Sequence, residues 1–118
     1  MMMDICIHAA DLSTPTRKFD TLKEWTYLLY EEFFLQGDAE KKEGMPASFL
    51  CDRATVKVSK AQPGFLNFIV IPYWQLMTTV FPATEPLHIR AKENSVKWDN
   101  YEETKEDEKI YTIQPTNA

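Results

Sequence analysis

The spacing of apolar residues predicts three helices, and the first of them begins near a clear start signal. Ser13, Thr14 and Pro15 place a polar cap ahead of a proline at the first helical position. Gly44 is a natural C-terminal cap, and we expect the helix to continue to it through Gly37, at a cost of about 1 kcal/mol relative to alanine. The expected inner face consists of Phe19, Leu22, Trp25, Leu29 and Phe33.

The segment from Met45 to Val58 has no sustained period and is predicted to be a loop. Loops longer than about 12 residues inside compact domains are usually functional or disordered. Phe49 and Leu50 are too apolar for a free linker, so we expect this loop to be mobile and to fold over another part of the molecule.

The second predicted helix starts near Ser59 or Gln62, because Pro63 is tolerated only in a first turn. Propensity alone allows a strand over 68–71, but the longer helical period outweighs it, and Pro72 is expected to kink the helix. The expected inner face consists of Phe65, Phe68, Ile69, Pro72, Leu76 and Val80.

The third predicted helix begins at Thr84, with Pro86 in its first turn. Its expected inner face consists of Leu87, Ala91, Asn94, Trp98 and Tyr101. Charged residues dominate Glu102 to Glu108, and the last stretch, from Lys109 to Ala118, is expected to be a loose tail. Because the chain has only three glycines and no Asn-Gly or Asp-Gly turn, the predicted fold class is all-α.

The composition of the chain argues against some kinds of partner and some cellular locations. The 118 residues carry 18 acidic and 13 basic side chains, a net charge of −5 that argues against nucleic acid as a partner. No apolar run approaches the roughly 20 residues of a membrane span, and the start, Met1 to Leu12, does not resemble a secretory signal. Cys6 and Cys51 make no disulfide framework, which favours reduced thiols and a cytoplasmic location.

Few residues are candidates for chemistry, and spacing alone leaves each with two interpretations. Asp11 is either a capping or solvated carboxylate or a metal ligand at a helix end, and His8 is more often structural than a ligand at such a position. Gln62 is either a cap residue or an amide that reads the edge of a purine, since an amide both donates and accepts hydrogen bonds. Phe65, one turn away, is either core or a ring that stacks on that purine.

Several strings resemble the class I 3′,5′-cyclic nucleotide phosphodiesterases. His8–Thr16 resembles the metal-aspartate segment of that family, and Trp25-Thr26 followed by Glu31–Asp38 resembles its next block. Cys51–Arg53 and Gln62–Phe65 follow in the family's order and at about its spacing. One short string is a weak signal, but several in register are a strong one.

The resemblance extends from about Ile5 to Val80, and more weakly to Tyr101. The sequences of Phe34–Gly37 and Leu50–Arg53 are most similar to those of the calmodulin-dependent branch of the family, and they would match a protist relative as well. The resemblance therefore implies that residues 1–101 are the C-terminal portion of a compact helical catalytic domain, followed by a polar acidic tail over 102–118.

The resemblance also implies roles for individual residues. Asp11 matches a carboxylate shared by two divalent metal ions, Gln62 the glutamine that hydrogen-bonds the purine, and Phe65 the aromatic that clamps it. Leu22 stands where some cAMP-selective members have a tyrosine that orients the glutamine, so the choice between cAMP and cGMP stays open. The other matched binding residues are Thr14, which tunes base choice, Leu29 and Leu50, which line the pocket, and Trp25 and Thr26 in its wall.

The implied activity is hydrolysis of cAMP or cGMP with two divalent ions (Zn, Mg or Mn) that activate a water for attack on phosphorus. The family takes two His ligands, a further Asp and the acid for the leaving group from upstream helices, but this chain has only His8 and His88, neither in the matching motif. We therefore expect no catalytic residue in this fragment, no activity alone, and self-association through unpaired apolar faces. The alternative is a non-catalytic helical interaction fragment.

Overall fold

The computed structural model describes residues 1–113, and within them the protein is all-α, with no strand, as predicted. Five α-helices account for most of these residues: α1 Met2–Asp11, α2 Phe19–Lys42, α3 Val58–Phe65, α4 Ile71–Val80 and α5 Glu85–Asp99. A π-helical turn, Leu66–Val70, joins α3 to α4, and short 3₁₀ helices span Thr14–Thr16, Pro82–Thr84 and Asp107–Tyr111. Over the same residues, no helix is both long enough and apolar enough to cross a membrane.

The position predicted for the start of the first helix is wrong. The Ser13-Thr14-Pro15 signal opens a 3₁₀ turn, because the Ser13 hydroxyl donates back to the Ala10 carbonyl at 2.6 Å and Arg17 is extended. The long helix α2 therefore begins only at Phe19, and the apolar segment before the turn is a helix of its own, α1. The predicted continuation of the long helix to the Gly44 region is confirmed.

The buried face of α2 is rotated from the predicted face, so that most of the buried residues are one residue later in the sequence than the predicted ones. Trp25 is 60% exposed and Leu29 is also exposed, while Phe19 and Phe33 are half-buried. The side chains that face the core are Leu22, Thr26, Tyr30, Phe34 and Gly37. The helix has two apolar stripes, and its rotation is set by Gly37, which lies directly against the backbone of Cys51.

The register of the next helix is also shifted, and the π-helical turn is the reason. An extra residue in one turn rotates every later side chain around the helix axis. The turn ends just before Pro72, at the kink that the sequence predicts, and Phe68 is consequently 84% exposed. The predicted face is wrong after Phe65: the buried residues are Leu66, Val70, Trp74 and Met77.

Helix α5 is the centre of the packing, and it begins one residue after Thr84, in agreement with the prediction. Trp98 is fully buried, with its ring centroid 5.1 Å from that of Phe19. The Asn94 amide donates to the carbonyls of Pro15 and Arg17, both at 2.8 Å, and so holds the first 3₁₀ turn on α5. Ala91, Asn94 and Trp98 are buried as predicted, but Leu87 is exposed.

The segment between α2 and α3 is non-helical over 45–57, in agreement with the predicted loop. It is attached to α2 by Arg53, which pairs with Asp38, and by Asp52, whose carboxylate accepts a hydrogen bond from Lys41 at 2.5 Å. Lys41 holds the pKa of Asp52 below its usual value. The side chain of Phe49 remains exposed, and the predicted mobility of the loop stays a prediction.

The segment after α5 is not loose where the structure describes it. Residues 107–111 form a 3₁₀ helix, and the Tyr111 hydroxyl accepts a hydrogen bond from the Val58 amide at 2.8 Å. The expectation of a loose tail is wrong for 109–112, because the Ile110 and Thr112 carbonyls accept hydrogen bonds from Arg53 and the Tyr111 hydroxyl accepts one from α3. Residues 114–118 lie outside the described part of the chain, and the division between 1–101 and 102–118 stays a prediction.

Candidate functional site

Asp11 ends α1 and lies exposed at the turn that follows. That turn is fixed on one side by the Trp74 indole, which donates to the Leu12 carbonyl at 3.0 Å. His8 packs edge-on against the ring of Tyr73, with centroids 4.8 Å apart, which favours the structural interpretation of this histidine. A carboxylate in this position is accessible to a metal ion.

The donor set for a metal centre is incomplete. Among residues 1–113, no three or more His, Cys, Asp or Glu side chains come together in a group that can hold a metal ion. Zinc normally takes three or four protein ligands. The described residues therefore do not fit a pair of metal ions, and Asp11 is at most one contributor to such a site.

Gln62 and Phe65 lie one turn apart on α3, where the sequence analysis placed the purine-binding pair. The Gln62 side chain is only 5% exposed, while Phe65 is half-buried at the edge of the apolar core. Burial raises the pKa of Tyr30, and a hydrogen bond with the Gln62 side chain partly offsets that increase. The Gln62 side chain of α3 therefore lies against Tyr30 of α2.

The sequence analysis missed Tyr30. The resemblance implies that some cAMP-selective members have a tyrosine at the position of Leu22, and in this chain Tyr30 lies two helical turns further on. Leu22, Thr26 and Tyr30 recur at a spacing of four and are all buried. That period of four is the signal by which Tyr30 could have been found.

The remaining predicted residues of α2 divide between two faces. Thr26 is buried, and its hydroxyl donates to the Leu22 carbonyl at 2.7 Å, so it is engaged within its own helix. Trp25 and Leu29 are exposed and do not share the face of Tyr30. The structure thus brings Thr26 and Tyr30 to the face that carries the Gln62 contact, and leaves the other two residues at the surface.

Thr14 lies in a tight 3₁₀ turn, and Leu50 has a strained backbone conformation. Thr14 is half-buried at the start of the first 3₁₀ turn. Leu50 is half-buried at the edge of the core with a φ of +65°, a left-handed conformation that costs a non-glycine residue roughly 1–2 kcal/mol. This backbone conformation, together with the anchored Asp52 and Arg53, fixes where the loop carries the Leu50 side chain.

A separate groove of about 970 Å³ lies between the outer side of α2 and residues 106–113. Lys23, Tyr27 and Arg53 are among its lining residues, and none of the eight predicted site residues lines it. The groove is therefore not the predicted base pocket. The predicted residues are a buried amide at Gln62, a half-buried ring one turn away at Phe65 and an exposed carboxylate at Asp11.

Comparison with protein families gives one match that covers most of the chain. Residues 1–91 match PDEase_I, the 3′5′-cyclic nucleotide phosphodiesterase family. This range contains Asp11, Gln62, Phe65 and the other predicted site residues.

Two curated relatives are similar over about two thirds of the chain. The 3′,5′-cyclic-AMP phosphodiesterase, isoform F, of Drosophila melanogaster is 46% identical over 74 residues, which are 63% of this chain and 11% of that protein. The dual specificity calcium/calmodulin-dependent 3′,5′-cyclic nucleotide phosphodiesterase 1B of Bos taurus is 45% identical over 78 residues, 66% of this chain and 15% of that protein. The chain thus spans a small part of the length of these relatives.

The fold is similar to that of a solved relative. The structure of LmjPDEB1 in complex with IBMX superposes with a TM-score of 0.76 and 27% sequence identity, covering 83% of this chain and 30% of that one. The helical arrangement and the sequence therefore lead to the same assignment. The chain belongs to the 3′5′-cyclic nucleotide phosphodiesterase family.

Proposed function

We propose that this chain is the base-binding portion of a domain that hydrolyses the 3′,5′-cyclic phosphodiester of cAMP, cGMP or both to the 5′-nucleoside monophosphate. The observation that carries the proposal is the pair formed by Gln62 and Phe65, one turn apart on α3, with the glutamine buried and the ring half-buried. The amide can donate to and accept from a purine edge, and the ring can stack on its face.

The complete domain would use two divalent ions (Zn, Mg or Mn), to which this chain contributes the carboxylate of Asp11. Among the described residues, no three or more possible ligands come together in a group that could hold a metal ion. His8 is engaged with Tyr73, and the only other histidine, His88, lies on α5. Such ions would polarise the phosphoryl group, but the groups that hold them and protonate the leaving oxygen must come from outside this chain.

Both nucleotides remain candidate substrates, because one relative is a cyclic-AMP phosphodiesterase and another is a dual specificity enzyme. A cytoplasmic location is likewise proposed from the two unlinked cysteines, Cys6 and Cys51. The second candidate function is a non-catalytic helical interaction fragment. It is favoured by the exposed apolar side chains of Trp25, Leu29 and Phe68.

The test compares this chain with a completed domain, a chimera in which the upstream helices of a relative precede it. The chain alone is expected to hydrolyse neither cAMP nor cGMP with added Zn²⁺, Mg²⁺ or Mn²⁺, since a single carboxylate cannot close a metal site. The completed domain is expected to be active, and Asp11→Ala is expected to abolish that activity.

Asp4→Ala is the matched control, because Asp4 is also an exposed carboxylate on α1, near the other end of the helix. Metal-dependent turnover by the short chain, lost in Asp11→Ala, would contradict the expectation of inactivity. An inactive but folded completed domain that also fails to bind either nucleotide would leave the interaction fragment as the better account.

A further inference from the structure

A buried carboxylate in the C-terminal segment joins three parts of the molecule. The Glu103 side chain is only 1% exposed. One of its oxygens accepts hydrogen bonds from the hydroxyls of Tyr27 at 2.7 Å and Tyr111 at 2.5 Å, and the other accepts from Ser59 at 3.2 Å. The ammonium of Lys57 lies 3.8 Å away. A buried carboxylate needs such partners, since an unpaired one is strongly destabilising.

These partners meet at the first turn of α3. Lys57 and Ser59 flank Val58, the first residue of the helix, whose amide donates to the Tyr111 hydroxyl at 2.8 Å. The first amides of a helix have no partner within the helix, and α3 has no local side-chain cap. A negative charge beside a helix N-terminus is also favourable. Glu103 and Tyr111 therefore act as a cap supplied from a distant part of the chain.

The cap matters because α3 is the N-terminal end of a helical stretch that continues through the π-helical turn into α4. Its first turn is the end whose backbone amides have no partner within the helix. Gln62 lies one turn beyond Ser59, and Phe65 one turn beyond Gln62, so a displacement of the first turn moves both. On the other side, the Tyr27 hydroxyl ties Glu103 to α2, the helix that also carries Tyr30.

The same C-terminal segment holds the end of the preceding loop. The Arg53 guanidinium donates to the Ile110 carbonyl at 2.6 Å and pairs with Asp38 of α2. Residues 102–113 thus hold both the loop that precedes α3, through Arg53, and the helix α2, through Tyr27. This segment lies beyond residues 1–91, the part that matches the family.

We propose that Glu103 is a positioning residue for the base-binding pair. Its carboxylate, together with the hydroxyl of Tyr111, holds the first turn of α3 against α2 and thereby sets the position of Gln62 and Phe65. The effect of Glu103 on catalysis rests on the proposed function. The positioning of the first turn of α3 does not, because it is a property of this chain.

The first experiment measures amide hydrogen exchange in the full 118-residue chain. Glu103→Ala and the milder Tyr111→Phe are each expected to accelerate exchange over 58–65 by roughly tenfold or more, while exchange over 91–98 of α5 stays unchanged. Tyr73→Phe is the matched control, because its hydroxyl bonds the Ile5 carbonyl at 3.0 Å, on α1. Equal exchange over 58–65 in Tyr111→Phe and Tyr73→Phe, or acceleration spread evenly over the chain, would overturn the proposal.

The second experiment measures the kinetics of the completed domain with cAMP and cGMP. Tyr111→Phe is expected to raise KM roughly fivefold with kcat nearly unchanged, since base contacts are made in both the ground state and the transition state. A merely structural role would lower the amount of active enzyme and leave KM as it was, and that result would overturn the proposal. If the completed domain is inactive, the proposed function fails, and the exchange experiment still decides the positioning.

Discussion

At the residue scale, the contact that most affects the candidate site is the one between Gln62 and Tyr30. An amide side chain is useful for reading a base only if its orientation is fixed, and burial of both partners provides this. A hydroxyl can donate or accept and rotates to suit its partner, so Tyr30 is compatible with either orientation of the amide. This pairing leaves both cAMP and cGMP as candidate ligands.

The first prediction at this scale concerns the base-binding pair. In the completed domain, Gln62→Ala is expected to lower kcat/KM by about 1–3 kcal/mol, the cost of an unmade buried hydrogen bond. Phe65→Ala is expected to lower it by a similar amount through lost stacking. The assay is steady-state hydrolysis of cAMP and cGMP, with Gln75→Ala as the control, because Gln75 is exposed on α4. Unchanged kinetics in both variants would make these residues purely structural.

At the scale of elements, the loop over 45–57 packs against α2 at Gly37, where there is no room for a side chain. A Cβ at Gly37 would lie 1.8 Å from the Cys51 carbonyl oxygen. The close approach of two backbones therefore explains a glycine in the middle of a long helix, at a point where propensity favours alanine by about 1 kcal/mol.

The second prediction compares two glycine substitutions. Gly37→Ala is expected to destabilise the chain by about 1–3 kcal/mol, because the loop must move away from α2. Gly64→Ala is the matched control: its Cβ would meet no atom within 4 Å, so it is expected to be neutral or to stabilise α3 by up to about 1 kcal/mol. Urea unfolding followed by circular dichroism measures both. Equal stability of the two variants would contradict the proposed contact.

At the scale of the whole molecule, several apolar side chains have little cover from the rest of residues 1–113. Trp25 and Leu29 of α2 and Phe68 and Ile69 of the π-helical turn are all exposed, on faces that the sequence predicted to be internal. The chain covers 30% of the LmjPDEB1 chain. We expect these exposed faces to be an association surface when the chain is by itself.

The third prediction is self-association of the 118-residue chain through this surface. Phe68→Ser is expected to weaken association by about 1.5–3 kcal/mol, the value of burying one large apolar side chain. Its effect on the stability of the monomer is expected to be small, since Phe68 is exposed. Concentration-dependent size-exclusion chromatography with light scattering measures it, and Val96→Ser, at an exposed apolar site on α5, is the control. A monomer at all concentrations would contradict the prediction.

The fourth prediction concerns pH. Burial raises the pKa of every tyrosine in the chain, and for Tyr27 and Tyr111 hydrogen bonds to Glu103 raise the pKa further. Because the folded pKa lies above the unfolded value of about 10, this contribution to stability is fully present below pH 10 and is lost at higher pH. Ultraviolet absorbance is expected to show tyrosinate only as helix content falls. Full ionisation near pH 10 with intact helices would contradict this.

The sequence by itself determined the fold class, the approximate helices and the family, because each depends on short-range patterns. Apolar spacing and the positions of Pro63 and Pro86 are local, and the start of α5 and the limits of the loop follow from them closely. The strings around Asp11 and Gln62 are local as well, so they could be recognised without any knowledge of packing.

Only the tertiary structure decided which helical stripe is buried and what holds the candidate site. The rotation of α2 depends on Gly37 meeting a loop backbone, and the register of α4 depends on a π-helical turn. The partners of Gln62 and Val58 come from residues far along the chain, Tyr30 and Tyr111. A local period indicates that Tyr30 is buried, but it does not indicate which residue Tyr30 meets, because most buried polar groups find their hydrogen-bond partners through the tertiary fold.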